Sequence, residues 1–205
     1  MAELGRIEKP SAESFSGRRK LYCVASVYPI KDAGDDYAGL VKRYWEEALQ
    51  QTEKLEAAGK IRKVFCESLP VRGEEVFDAL AEMNEPALGI VKKKVEECAV
   101  LLSIESEEIF GPFLDWANCL HVARTKEVLA KILEFYTELA EKRLQHVLNV
   151  IEDNLSDGEA GLLIIRDEDR ARLQFPSDMD VFLVTPPSYD DILRWFRERM
   201  KELQG

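Results

Sequence analysis

Two histidines, His121 and His146, are all the imidazole in this 205-residue chain, which limits imidazole-based catalysis. Cysteine is equally sparse. Cys23, Cys66, Cys98 and Cys119 are widely and irregularly spaced, with no CxxC pair and no neighbouring histidines, so a zinc site has no sequence basis. Each lies in an apolar run, as in Leu21-Tyr22-Cys23-Val24, and reads as a buried free thiol of a reducing compartment. No apolar run approaches membrane-spanning length, and Met1 to Lys20 lacks an apolar segment with a cleavage pattern. The expectation is a cytoplasmic protein with no membrane partner.

Positive charge is also in deficit. Twenty-eight Lys and Arg stand against 39 Asp and Glu, for a net charge of −11. Phosphate-backbone binding draws on cations, so nucleic acid is disfavoured as a partner. Three short basic clusters remain: Arg18-Arg19-Lys20, Lys92-Lys93-Lys94, and Arg194 with Arg197 and Arg199. All have acidic neighbours and read as solvated faces. The chain contains no GxxxxGK[ST], no GxGxxG after a strand, no GxSxG, no HExxH and no EF-hand loop. No cofactor and no catalytic residue is assigned.

What is present is a globular composition, 46% apolar and 33% charged. Residues 1–17 are polar and read as a flexible arm, and 18–205 as a single domain. Leu21 to Tyr28 is β-branched and aromatic and ends at Pro29, which predicts a central strand. Residues 36–58 carry an apolar stripe at helical spacing, with Asp35 or Asp36 as N-cap and Gly59 as C-cap. Ile61 to Leu69 is the next strand, which makes a parallel βαβ unit.

The helical middle, about 73–156, opens at Gly73-Glu74-Glu75, restarts at Pro86, runs over 87–102, and breaks at Gly111-Pro112. A short helix follows from Phe113 to Val122, then a long one over 125–155 with Thr125 as N-cap. Gly161 to Arg166, Ala171 to Phe175 and Met179 to Thr185 read as short strands of an antiparallel meander. A final helix is capped by Ser188, with Asp191 in the capping-box position. The fold class is therefore α/β (α+β mixed) and helix-rich: a βαβ unit, a helical middle, and a C-terminal meander plus helix around one mixed sheet of about five strands.

Leu155 to Ile165, a helix end leading through Asp-Gly-Glu into Gly-Leu-Leu-Ile-Ile, resembles α/β segments of several families, peptide-release-factor-like domains among them. No residue role carries over from so short a stretch.

Two groups are candidate metal ligands. His146, Asn149 and Asp153 fall at i, i+3 and i+7 on one helix face, combining an imidazole, an amide and a carboxylate. Asp32, Asp35 and Asp36 crowd the turn after the first strand. There they compete with phosphate for backbone donors and suit a hard cation, although helix capping explains them too. Glu105, Glu107 and Glu108 lead into Phe110-Gly111-Pro112-Phe113 and Asp115-Trp116, a composition that lines a pocket, presents a partner surface, or anchors a helix connection. Tyr189, Trp195 and Phe196 end the chain with an aromatic amphipathic helix.

Three function classes follow. The first is a non-catalytic interaction or regulatory module that self-associates, as a homodimer or with a protein partner. The second is a small-molecule or metal-dependent enzyme using clustered carboxylates. The third is nucleic-acid or ribosome association through Arg18-Arg19-Lys20.

Overall fold

The computed structural model describes residues 17–69 and 75–204. The expected arm falls on 1–16 for all but its last residue, and the helix opening at Gly73-Glu74 also lies outside the described residues. Five strands build one sheet: β1 (Arg19–Ala25), β2 (Ile61–Cys66), β3 (Val100–Ser103), β4 (Ala160–Ile165) and β5 (Met179–Val184). Their order is β3-β2-β4-β1-β5. Helices α1 (Asp35–Leu55), α2 (Glu75–Asn84), α3 (Leu88–Glu96), α4 (Glu107–Val122), α5 (Lys126–Asn154), α6 (Asp167–Arg170) and α7 (Pro187–Gln204) connect and follow them.

Every pairing is parallel, so the sheet is not mixed. The strand composition explains this. β4 is Ala-Gly-Leu-Leu-Ile-Ile and is buried at all six positions, which requires helices on both faces. Side-chain alternation divides the cover. Tyr22, Val24, Val64, Leu162 and Ile164 face α1, α2, α3 and α7. Leu21, Cys23, Phe65, Leu163 and Ile165 face Leu144, Val147 and Ile151 of α5.

The βαβ unit is present as a parallel crossover, with β4 inserted between its two strands. The antiparallel meander is absent. β4 and β5 are not neighbours, because β1 separates them and pairs parallel with each. The segment read as a strand over Ala171–Phe175 is a connection instead. Leu173 and Phe175 pack onto the α5-side core, which accounts for their alternation without any ladder.

Two boundaries in the helical middle also differ. Val100–Ser103 is the edge strand β3, set off from α3 by Cys98 in the left-handed region (φ 75°). A four-residue apolar run beside a helix has no period that distinguishes the two states. Helix α4 starts at Glu107 and continues through Pro112. Phe110 and Phe113, both buried, hold it on either side of the proline.

The caps differ in detail. Thr125 caps α5, its hydroxyl accepting from Val128 N at 3.4 Å. Gly34 caps α1 without a side-chain bond, and Asp35 and Asp36 lie in the first turn. α1 ends at Leu55 with Glu56, not Gly59, as its C-cap. Ser188 lies inside α7 and donates from its hydroxyl to Glu47 Oε2 (2.6 Å), so it binds α1 rather than capping its own helix. No described helix is long and apolar enough to cross a membrane.

Candidate functional site

A parallel sheet directs all its strand C-termini to one edge, the usual ligand side of an open α/β sheet. Here that edge gathers charge. Glu67 follows β2, Glu105 follows β3, and Arg166 and Asp169 follow β4. Arg143 reaches in from α5. Its stripe on α5 is otherwise apolar, yet its side chain is almost wholly buried.

The Arg143 guanidinium is committed on every side. Nε and Nη2 donate to Glu105, Nη1 donates to Asp169 Oδ2 (2.6 Å), and Nη2 also reaches Glu67 Oε2 (3.3 Å). The rings of Phe110 and Phe113 lie 5.7 and 5.3 Å from its Cζ. Burial works against its charge. The hydrogen bonds and charge of Glu105, with the charge of Asp169, outweigh burial and hold its pKa above the usual arginine value.

The carboxylates are equally engaged. Glu67 Oε1 accepts from the Tyr28 hydroxyl (3.1 Å) and from Arg166 N (2.9 Å), and Glu105 Oε1 accepts from Ser68 N (3.0 Å). Burial raises the Glu67 pKa, against the opposing pull of Arg166 and Arg143. Each oxygen of Glu67 and Glu105 thus has a donor. As arranged, the group is an ionic clamp joining β2, β3, β4 and α5, with its acid and base capacity occupied.

Among the cavities, two are lined by residues that follow the strands. A small one of about 110 Å³ sits beside β1 and β5, lined by Cys23, Asp167, Arg170 and Tyr189. Burial pushes the Cys23 thiol up to about 12, which removes it as a nucleophile at neutral pH. A larger groove of about 890 Å³ runs between α1 and the Glu85–Ala87 turn with α3. Its walls include Trp45, Leu49, Pro86 and Leu88, and Lys42, Glu46 and Lys92 also line it.

A third feature is an arm. The cluster of Phe110, Phe113, Tyr136, Leu139 and Ala140 joins α4 to the first half of α5 and is separate from the two clusters that sandwich the sheet. Beyond it α4 and α5 continue packed against each other. Leu114, Val122, Val128, Leu129, Leu133 and Phe135 are all exposed there. Trp116 stacks on Phe135 at 4.9 Å beside a groove of about 430 Å³ lined also by Val128 and Ile132.

The residues singled out by sequence are distributed as follows. On α5, His146 is half-buried, Asn149 is exposed and accepts from Gln145 Nε2 (2.9 Å), and Asp153 is exposed. Asp32 and Asp35 are exposed, and Asp36 accepts from Trp195 Nε1 (2.9 Å). Among the described residues, no group of three or more His, Cys, Asp and Glu is placed to hold a metal ion. The basic clusters are engaged with acids. Arg18 pairs with Asp180 and Arg19 with Asp178, while Lys93 pairs with Glu53 and buried Lys94 with Glu56. On α7, Arg194 pairs with Asp191 and Arg199 with Glu202. Cys23 and Cys66 are buried, but Cys98 is exposed at its turn, contrary to the apolar-run reading.

Sequence reasoning reached Glu105, Phe110 and Phe113 as a group but missed Glu67, Arg143, Arg166 and Asp169. One signal was available: Arg143 stands on the buried stripe of α5 between Ala140 and Val147, where an unpaired charge is not tolerated.

The fold and the edge define a helix-rich α/β protein with a parallel five-stranded sheet and a projecting two-helix arm. Comparison with known protein families, with curated proteins and with solved structures returned no match for this chain.

Proposed function

We propose that this protein is a non-catalytic interaction module that self-associates through the α4–α5 arm. The observation carrying this reading is the arm's double exposure. Among the described residues, α4 and the first half of α5 share a small apolar cluster of their own, and large apolar side chains are left exposed on both flanks. Large apolar side chains clustered on the surface of an otherwise charged protein mark an interaction site. Helical hairpins cover such surfaces by forming bundles with a second hairpin. The committed carboxylates of Glu67 and Glu105 support the non-catalytic part. Residues 18–205 act as one unit in this reading, and four free thiols suit a reducing, cytoplasmic setting.

The test is light scattering after size exclusion at micromolar concentration. The expected result is a dimer mass, falling to monomer when Phe135 and Leu133 are both replaced by Glu. A wild-type protein that stays monomeric to about 100 μM, a concentration at which even weak specific pairs populate, removes the reading.

A second reading, a small-molecule-binding protein or enzyme, is favoured by one observation: the groove between α1 and α3 adjoins the strand C-termini through Pro29. Ligand-dependent thermal shifts lost on Leu49→Glu would select it.

A further inference from the structure

We infer that the occupant of the arm is a second copy of this chain laid antiparallel, with a two-fold axis passing near residue 131 of α5. The inference rests on the self-association above and adds its face and register.

The register comes from the exposed apolar residues. Val128 and Phe135 are seven apart and share a face, on which Trp116 stacks against Phe135. Their midpoint lies beside residue 131. A two-fold axis there sets Val128 of each copy against Phe135 of the other, and a closed two-fold contact must be self-complementary in this way. The same operation delivers Phe135 to the partner's groove, which is lined by Trp116, Val128 and Ile132. Aromatic anchors in such grooves are what dimer centres use.

Charge sets the direction. From Arg124 to Lys131, at the tip, the chain has three cations and one anion. From Glu134 to Lys142, toward the base, it has three anions and one cation. Glu107 and Glu108 add acid at the base of α4. Antiparallel arms put the cationic tip of one copy against the acidic base of the other. Parallel arms put tip against tip and base against base, segments of like net charge, which costs specificity and affinity. Leu129 and Leu133 lie on the other flank and are outside this contact.

The experiment is a complementary pair of variants. Val128→Glu and Phe135→Lys are each purified and measured alone, then mixed. In the antiparallel register a mixed dimer has one Glu–Lys pair and one native Val–Phe pair. The expected result is monomer for each alone and a heterodimer on mixing, tighter than either homodimer by about tenfold or more. Leu133→Glu is expected to stay dimeric. A dimeric wild type whose two variants fail to rescue each other overturns the register and leaves self-association standing. Loss of the dimer in Leu133→Glu overturns the choice of face. A monomeric wild type overturns both the inference and the reading beneath it. Far-UV circular dichroism of each variant separates these outcomes from misfolding.

Discussion

Arg143 holds Glu105 through three hydrogen bonds inside the protein: Nε to Oε1 (3.1 Å) and Oε2 (3.0 Å), and Nη2 to Oε1 (2.6 Å). The pair joins the middle of the longest helix to the end of the edge strand β3. It fixes where the arm leaves the core, since the Arg143 guanidinium also lies over Phe110 and Phe113 at the root of α4.

Removing the cation leaves Glu67 and Glu105 buried without their counter-charge. Arg143→Ala is expected to cost about 3–5 kcal/mol, the usual penalty for breaking a buried pair from one side. Arg143→Leu combined with Glu105→Leu should cost less than the sum of the single changes, because both charges then go. Urea unfolding of the four proteins checks this, and additive losses would show that the pair is not coupled.

Acid should weaken the protein between about pH 4.5 and 2 through Glu97. Hydrogen bonds from Lys60 and Lys94 hold its carboxyl down at about 2, against an ordinary value of 4.5. A carboxyl whose pKa is lower when folded adds stability above its unfolded value and loses it as pH falls to the folded one. Glu67 acts in the opposite sense. Burial raises it, so its effect on stability turns unfavourable as pH climbs from its unfolded value toward the folded one. Glu97→Gln should flatten the acid limb of a plot of urea midpoint against pH. An unchanged slope in that window would discount the Lys60 and Lys94 bonds.

Gly161 of β4 is required by space. A Cβ there would lie 2.9 Å from Phe65 Cε2 and 3.2 Å from Leu21 Cδ1, both fully buried. Gly161→Ala is expected to lose about 1–3 kcal/mol, the range for overpacking a close-packed core. Adding Phe65→Leu should recover part of the loss in thermal unfolding. A neutral Gly161→Ala would mean that the sheet opens without strain.

Helix α7 is anchored to α1 by Ile192 and by Trp195, whose ring packs tilted against Tyr37 at 4.6 Å while its Nε1 donates to Asp36. Ile192→Ala should cost about 2–5 kcal/mol. Asp36→Ala should cost less than Ile192→Ala, because the Asp36 carboxylate that accepts from Trp195 Nε1 is exposed to water. Hydrogen exchange would show α7 opening first in both. Uniform opening of the whole chain would instead place α7 within the cooperative core.

Thermal unfolding should depend on concentration if the arms pair, because binding that requires the folded chain raises its apparent stability. Tenfold dilution near the dissociation constant should lower the midpoint in the wild type and leave Phe135→Lys unchanged. Val128 and Phe135 are 51% and 43% exposed and lie outside the two clusters that sandwich the sheet, so their replacement leaves the sheet core intact, while Phe135→Lys gives up the stacking on Trp116.

The amino-acid sequence by itself determined the local structure. The apolar run of β4, the stripe of α1, the Thr125 cap of α5 and the strand at Met179–Val184 all depend on neighbours a few residues apart, and periodicity reads them directly. It also drew attention to Glu105 and the phenylalanines after it. The tertiary structure alone decided that the sheet is wholly parallel, that β4 enters between β1 and β2, and that 171–175 packs as a connection. It alone brought Arg143 to Glu67, Glu105 and Asp169, which lie 76, 38 and 26 residues away along the chain. The reason is geometric. Parallel crossovers return every strand end to one edge, so residues without any sequence pattern in common meet there. Burial then makes their mutual pairing obligatory.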